Sequence, residues 1–202
     1  MKCKTAQQLQ QKGFISPNAV LNYLIGRKIL SVTSRGNTLL IKLDNHWNIV
    51  IAPEYGGIIS LHTTQTILSK FHLKINLQDV SLTINLTGIG CIQAVEDSFL
   101  KTNYLYNRDF SQTLNPIEAN FTFECFTEQL DLKKQNIKTA LVGKTAIIVG
   151  VSNSAFQDIM YRAKINPKRS TATLTLNDKR NLYTAIIQLI EERLAAGGKT
   201  SL

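Results

Sequence analysis

The sequence predicts an α+β protein: an N-terminal antiparallel β-sandwich or barrel with flanking helices, followed by a C-terminal helical domain. Two textures predict it. From Lys28 to about Phe99 the chain runs in short stretches rich in β-branched residues, separated by regular turn signals. From Ser111 onward the apolar residues recur at helical spacing. Charge divides the chain in a related way. Residues 1–132 hold 11 Lys/Arg and 10 Asp/Glu, net +1, and residues 133–202 hold 12 and 4, net +8, which together give the overall +9. With 202 residues and 44% apolar content the chain can bury a core as one large or two small domains. A charged fraction of 18% does not fit compositional disorder.

The elements follow in order. Residues 5–25 form an amphipathic segment interrupted at Gly13-Phe14-Ile15-Ser16-Pro17. Ser16-Pro17 reads as a helix start, with Ser as N-cap and Pro at the first helical position. Ala19, Val20, Tyr23 and Leu24 would share its apolar face, and Gly26 would end it. Strands are expected at 29–34, 39–43, 47–51, 58–61, 72–77, 80–86 and 90–95, with turns at Arg35-Gly36-Asn37 and Asp44-Asn45-His46 and a bend at Gly56-Gly57. Helices are expected from Leu114-Asn115-Pro116 to about Leu132, over 137–144, over 153–164 and over 176–196. Thr175 and Asp178 stand at capping-box spacing before the last. Its apolar stripe is Leu182, Ile186, Leu189, Ile190 and Leu194, and Gly197-Gly198 terminates it. The expected domains are 1–105 and 110–202, with the boundary inside 101–116.

No apolar run approaches the roughly 20 residues of a membrane span. The N-terminus lacks the apolar centre of a secretion signal, so the expected location is cytoplasmic. Cys3, Cys91 and Cys125 are too scattered for a paired-cysteine zinc site, so no metal or cofactor is expected, and Cys125 reads as a helical core residue.

The basic third concentrates a field that attracts phosphates, although a basic surface is also simply well solvated. Within it, Gly150-Val151-Ser152-Asn153 leads into a helix. Gly lets a backbone approach a ligand, and a helix N-terminus offers free N–H groups and partial positive charge. Asn153 is therefore either an N-cap or an amide donor to a phosphate; spacing alone leaves both open.

That turn, the segment Tyr161-Arg162-Ala163-Lys164-Ile165-Asn166-Pro167-Lys168-Arg169, and the ending Ala195-Ala196-Gly197-Gly198 together resemble the helix–two-turns–helix domain of the formamidopyrimidine-DNA glycosylase/endonuclease VIII family. The family pattern is Gly-Val-Gly-Asn, a helix, Arg/Ala-x-Ile-x-Pro, and a helix closed by Gly-Gly. Ile137-Lys138-Thr139-Ala140-Leu141 is similar to the family's short preceding helix, so the likeness spans about 110–201. The resemblance implies that Asn153 binds DNA phosphate near a lesion, with Ser152 replacing the second Gly of the turn. Lys164, Lys168 and Arg169 are candidate phosphate contacts that add affinity without reading sequence. Asp158 is expected to be structural.

The front half is similar too. Leu24-Ile25-Gly26-Arg27-Lys28-Ile29 resembles the family's Leu-Val-Gly-Lys-x-Ile, and 34–40 its Arg-Arg-x-Lys-Tyr-Leu-Leu hairpin, which makes Arg35 and Asn37 further DNA-binding candidates. The family's chemistry is implied to be lost. Lys2 and Cys3 stand where it has Pro, the Schiff-base nucleophile, and Glu. Asn37 replaces the hairpin Lys, Tyr55 the loop Met, and Asp97 the void-filling Arg, where its charge would repel phosphates. Phe99 reads either as a core residue or, with Tyr55, as a candidate wedge between bases. The zinc finger is expected to be absent. The resulting expectation is a DNA-binding protein, acting on damaged or distorted duplex, without the usual glycosylase/lyase activity. The alternative is an active glycosylase or abasic-site lyase using another amine, Lys2, Lys4 or the terminal one, with its pKa lowered by its surroundings. A third reading is a protein- or RNA-binding module on the same scaffold. Oligomeric state is left open.

Overall fold

The computed structural model describes residues 6–54, 56–63, 70–86, 90–111, 114–143 and 145–197. Cys3, Lys2, Lys4, Tyr55 and Gly198 lie outside the described residues. The chain forms two compact units, one up to Asn107 and one from Arg108, and the fold is α+β.

The first unit begins with α1 (Ala6–Gln11) and α2 (Asn18–Leu21), the latter running into a 3-10 turn at Asn22–Leu24. Among the described residues seven strands follow: β1 (Ile29–Arg35), β2 (Thr38–Leu43), β3 (Trp47–Ala52), β4 (Ile58–Thr63), β5 (Leu73–Asn76), β6 (Val80–Asn85) and β7 (Cys91–Glu96). They make an antiparallel sheet in the order β1-β2-β3-β7 and a second in the order β4-β6-β5. Ile41, Leu43, Ile49, Ile51 and Ile92 of the first sheet and Ile84 of the second share one core. That is the sandwich expected from strands whose alternate side chains face inward. The strand register places Leu40 opposite Val50 on the other face of the four-stranded sheet. Both are buried there, on strands that pack against α3 (Asp97–Leu100) and α4 (Tyr104–Tyr106). The middle of this sheet is thus covered on both faces, which is why β3 is buried almost throughout.

Two expectations for α2 are corrected. Ser16 is not its cap; Pro17 holds that position. The Ser16 backbone instead joins Ile92, and its hydroxyl accepts the Ala94 N–H at 2.9 Å. Nor do Ala19 and Tyr23 face the core: both are exposed, and Tyr23 stacks on Trp47 at 5.2 Å while Leu21 and Leu24 pack inward.

The second unit contains α5 (Phe123–Asp131), α6 (Ile137–Leu141), α7 (Asn153–Ala163) and α8 (Leu176–Ala195) around a core that includes Phe126, Leu130, Phe156, Ile159, Leu182 and Ile186. The helix expected from Leu114 begins only at Phe123, capped by Thr122. Leu114 is committed to a bridge with Ile148, and Asn115 closes a turn onto Ile117 and Glu118. α6 is shorter than expected because Val142 is extended and Gly143 has φ 105°. The capping box of Thr175 and Asp178 forms as expected. Leu194 leaves the apolar stripe and stands exposed. Cys125 is half-buried in α5 rather than a core residue.

Candidate nucleic-acid interface

The turn before α7 is shaped by its backbone. Gly150 has φ 82°, a conformation L residues seldom adopt, and a Cβ there would meet nothing within 4 Å. Glycine is therefore needed for the dihedral and not for space. Val151 is buried and anchors the turn, and Ser152 follows with φ −78° and ψ 169°. That is an ordinary N-cap geometry, so Ser in place of a second Gly costs the turn nothing.

Ser152 is the cap: its Oγ accepts the Ala155 N–H at 3.1 Å and lies 2.9 Å from Ser154 Oγ. The N-cap reading of Asn153 is thereby corrected. Asn153 is the first helical residue, exposed, and its amide has no partner among the described residues. No acidic residue lies in the first turn of α7, so the partial positive charge of the helix end is uncompensated. The other long helix differs. The N-terminus of α8 is occupied by Asp178, which accepts from Thr175 N–H at 2.9 Å and from Arg169 at 3.0 Å. These bonds, led by the Thr175 N–H, hold the Asp178 carboxyl below its ordinary range.

A second feature comes from two hydrogen-bonded connections, residues 133–137 before α6 and 168–171 between α7 and α8. Ile137 N–H donates to Arg169 O at 3.0 Å, Thr171 N–H to Gln135 O at 2.9 Å, and Asn136 Nδ2 to Lys168 O at 3.3 Å. Asn136 also caps α6 by accepting the Lys138 N–H at 2.8 Å. Lys133, Lys134 and Lys168 thus lie on this hydrogen-bonded pair of turns, and Lys138 follows in α6. Among the described residues none of these four ammonium groups has an acidic partner.

The remaining cations are largely committed. Arg162 makes a bidentate pair with Glu192, both bonds 2.7 Å, and Arg193 binds Asp158 at 2.9 Å. These pairs tie α7 to α8 and give Asp158 its structural role. The Arg162 pair lowers the Glu192 carboxyl and raises the guanidinium. Lys179 pairs with Asp131, and Arg180 sits over the Phe123 ring at 5.5 Å.

Among the expected contacts, Lys164 is exposed, has no acidic partner among the described residues, and ends α7 in a left-handed conformation with φ 55°. Lys168 is exposed on the paired turns. Arg169 is engaged within the fold by Asp178 and the Thr173 carbonyl. Lys133, Lys134 and Lys138 were visible as charges in the basic third, but their lack of partners was not. In the first unit Arg35 ends β1 and Asn37 is exposed in the β1–β2 turn. Phe99 lies in α3 with 62% of its surface exposed, which corrects the core-packing expectation, since Leu100 takes the inward position instead. Asp97 does not stand free. Its Oδ1 accepts from Asn48 Nδ2 at 2.7 Å and its Oδ2 lies 3.5 Å from His46 Nδ1. The Asn48 bond is the main reason its carboxyl titrates below the usual range. Among the described residues no helix is long and apolar enough to cross a membrane.

Residues 113–202 match the family model described as the formamidopyrimidine-DNA glycosylase H2TH domain. The chain is 26% identical over 190 residues to the formamidopyrimidine-DNA glycosylase of an Exiguobacterium species, covering 92% of this chain and 67% of the relative. It is 29% identical over 178 residues to that of Desulfitobacterium hafniense, covering 86% and 63%. The chain thus spans about two thirds of the length of these relatives. Its fold is shared with Lactococcus lactis Fpg in complex with abasic-site DNA, at TM-score 0.80 and 20% identity over 100% of this chain and 72% of that one. It is shared also with MutM bound to DNA containing carbocyclic 8-oxo-G, at TM-score 0.76 and 20% identity over 91% and 69%.

Proposed function

We propose that this chain, which belongs to the formamidopyrimidine-DNA glycosylase/endonuclease VIII family, binds the sugar-phosphate backbone of DNA through its helical unit, acts on damaged or distorted duplex, and lacks the family's usual glycosylase/lyase chemistry. The observation that carries the reading is Asn153. It stands exposed at an anion-favouring helix end with no partner among the described residues, because Ser152 has taken the capping role. Lys133, Lys134, Lys138, Lys164 and Lys168, none with an acidic partner among the described residues, add positive charge on the same unit. Solved relatives of this fold are complexes with DNA.

The loss of chemistry is supported by the residues at the family's reactive positions. The resemblance puts Lys2 and Cys3 at its Pro and Glu, and Asn37 at its hairpin Lys. Equilibrium binding of wild type and Asn153→Ala to a labelled duplex across a salt series tests the binding reading. The expected result is weaker binding by Asn153→Ala at every salt concentration; equal binding by the two proteins sinks it.

One observation favours a second reading: the curated relatives are named as glycosylases. An active enzyme using Lys2 or Lys4 would form a Schiff base with abasic-site DNA. Borohydride reduction would trap it, and the expected result here is no covalent adduct.

A further inference from the structure

We propose that the free edge of β1 docks an extended, acidic segment of another protein, which adds to the four-stranded sheet as a further strand. The proposal concerns the first unit and is independent of the DNA-binding reading.

The starting point is how the sheet edges are finished. The outer edge of β7 is closed by residues 14–16: Ile92 N–H donates to Phe14 O at 2.7 Å, and Ser16 N–H to Ile92 O at 3.0 Å. β5 is only four residues long. β1 is seven residues long, stands at the end of the order β1-β2-β3-β7, and pairs only with β2 among the described residues. In an antiparallel ladder the bonds to one neighbour come from alternate residues, so the residues between them turn N–H and C=O away from it. Within 31–34 those groups meet nothing among the described residues. Such a row is a template for another strand, and proteins blunt it with proline, lysine or a bulge. β1 has no proline and no charge before Arg35. A register shift between Ile29 and Ser31 places a bulge at its start, which leaves 31–35 as the regular stretch open to pairing.

Residues 30–34 are exposed, with Leu30 at 61% and Val32 at 57%, whereas the neighbouring β2 is largely buried. An added strand would shield Leu30 and Val32 from water. Its main-chain bonds would supply the affinity, as they do wherever a peptide extends a sheet. Charge selects the occupant. Arg27 and Lys28 stand exposed just before the strand, with no acidic partner among the described residues. Neither β1 nor β2 contains an acid. A segment with carboxylates at its end would be steered to this end of the edge and held there. A second copy of the chain fits poorly. Antiparallel pairing about Val32 would set Arg35 of each copy opposite Ile29 of the other, next to Lys28 and Arg27, and like charges so placed repel. The free edge of β4, which pairs only with β6, lacks the same selection, because residues 55–69 contain no Lys or Arg.

The test uses the full chain and a labelled synthetic peptide, Asp-Asp-Val-Thr-Val-Thr-Val-Asp-Asp, followed by fluorescence anisotropy. One control peptide carries Lys in place of every Asp. A second keeps the Asp residues but has every amide of its Val-Thr-Val-Thr-Val core N-methylated, which preserves charge and removes the strand donors. The acidic peptide is expected to bind about tenfold more tightly than either control, a difference that a few main-chain bonds or two opposed charges supply. The double variant Arg27→Glu/Lys28→Glu should lose about tenfold for the acidic peptide and gain for the lysine one. Amide hydrogen exchange should slow within residues 31–34 when the acidic peptide is bound, and should not change in α7. Equal binding of the N-methylated peptide, or protection confined to the helical unit, would show carboxylates merely resting on lysines and would overturn the proposal. So would displacement of the peptide by an equimolar intact duplex, which would assign the edge to nucleic acid. A concentration-dependent dimer protected within 31–34 would assign it to a second copy, and failure of the acidic peptide to bind would remove the docking role altogether.

Discussion

The ion-pair pattern of the helical unit makes a quantitative prediction about salt. Lys133, Lys134, Lys138, Lys164 and Lys168 have no acidic partner among the described residues, whereas Arg162, Arg169, Lys179 and Arg193 each have one. If each of the five lysines neutralises one phosphate, counterion release gives a slope of log K against log salt of about −4.5. Raising salt from about 50 to about 200 mM would then weaken binding roughly 500-fold. Each single change of these lysines to Gln should make the slope shallower by about 0.9. The control is the charge-balanced double variant Arg162→Gln/Glu192→Gln. It removes a cation already spent on a bidentate pair, so the slope should not move. Fluorescence anisotropy on a short duplex at several salt concentrations measures both. A slope untouched by Lys134→Gln and Lys168→Gln, but shallower in the double variant, would refute the assignment of free and engaged cations.

The other predictions concern folding and pH. Ser152→Ala removes the cap of α7 and should lower unfolding free energy by about 1 kcal/mol in urea denaturation, whereas Asn153→Ala, with no side-chain bond to lose among the described residues, should stay within about 0.5 kcal/mol of wild type. Gly150→Ala forces a side chain onto φ 82° with free space around it, so the expected cost is conformational only, about 1–2 kcal/mol. Phe156→Ala empties a fully buried site in the helical core and should cost about 3–5 kcal/mol. Asp178 is held below its ordinary value of 3.8 by the Thr175 N–H and hydroxyl and by Arg169. Its contribution is therefore complete above that value and is lost as pH falls through the depressed one; Asp178→Asn should flatten the acid-unfolding curve in that window, followed by circular dichroism.

Much of the helical unit was legible because its signals are local. The capping box of Thr175 and Asp178 spans three residues, and the starts of α7 and α8 follow from cap chemistry next to a 3.6-residue apolar period. The strand runs and their turns were likewise readable from β-branched stretches and Gly or Asn punctuation. Where local signals competed with distant partners, the distant partners won. Ser16-Pro17 carries a cap signature, yet the Ser16 hydroxyl serves Ala94, 78 positions away. Leu114 and Asn115 sit before a proline that suits a helix start, yet Leu114 pairs with Ile148.

The sequence by itself determined that the last third is basic, that a glycine-containing turn opens a helix at residue 153, and that this order resembles one family. Those properties reside in composition, in dihedral preference and in contacts a few residues apart. Only the tertiary structure decided which cations are free and what Asp97 touches. Each of these depends on groups far apart in the chain meeting within about 3 Å, as Arg162 meets Glu192 and Asn48 meets Asp97. Charge is a property of the residue, but its availability to a ligand is a property of its neighbours.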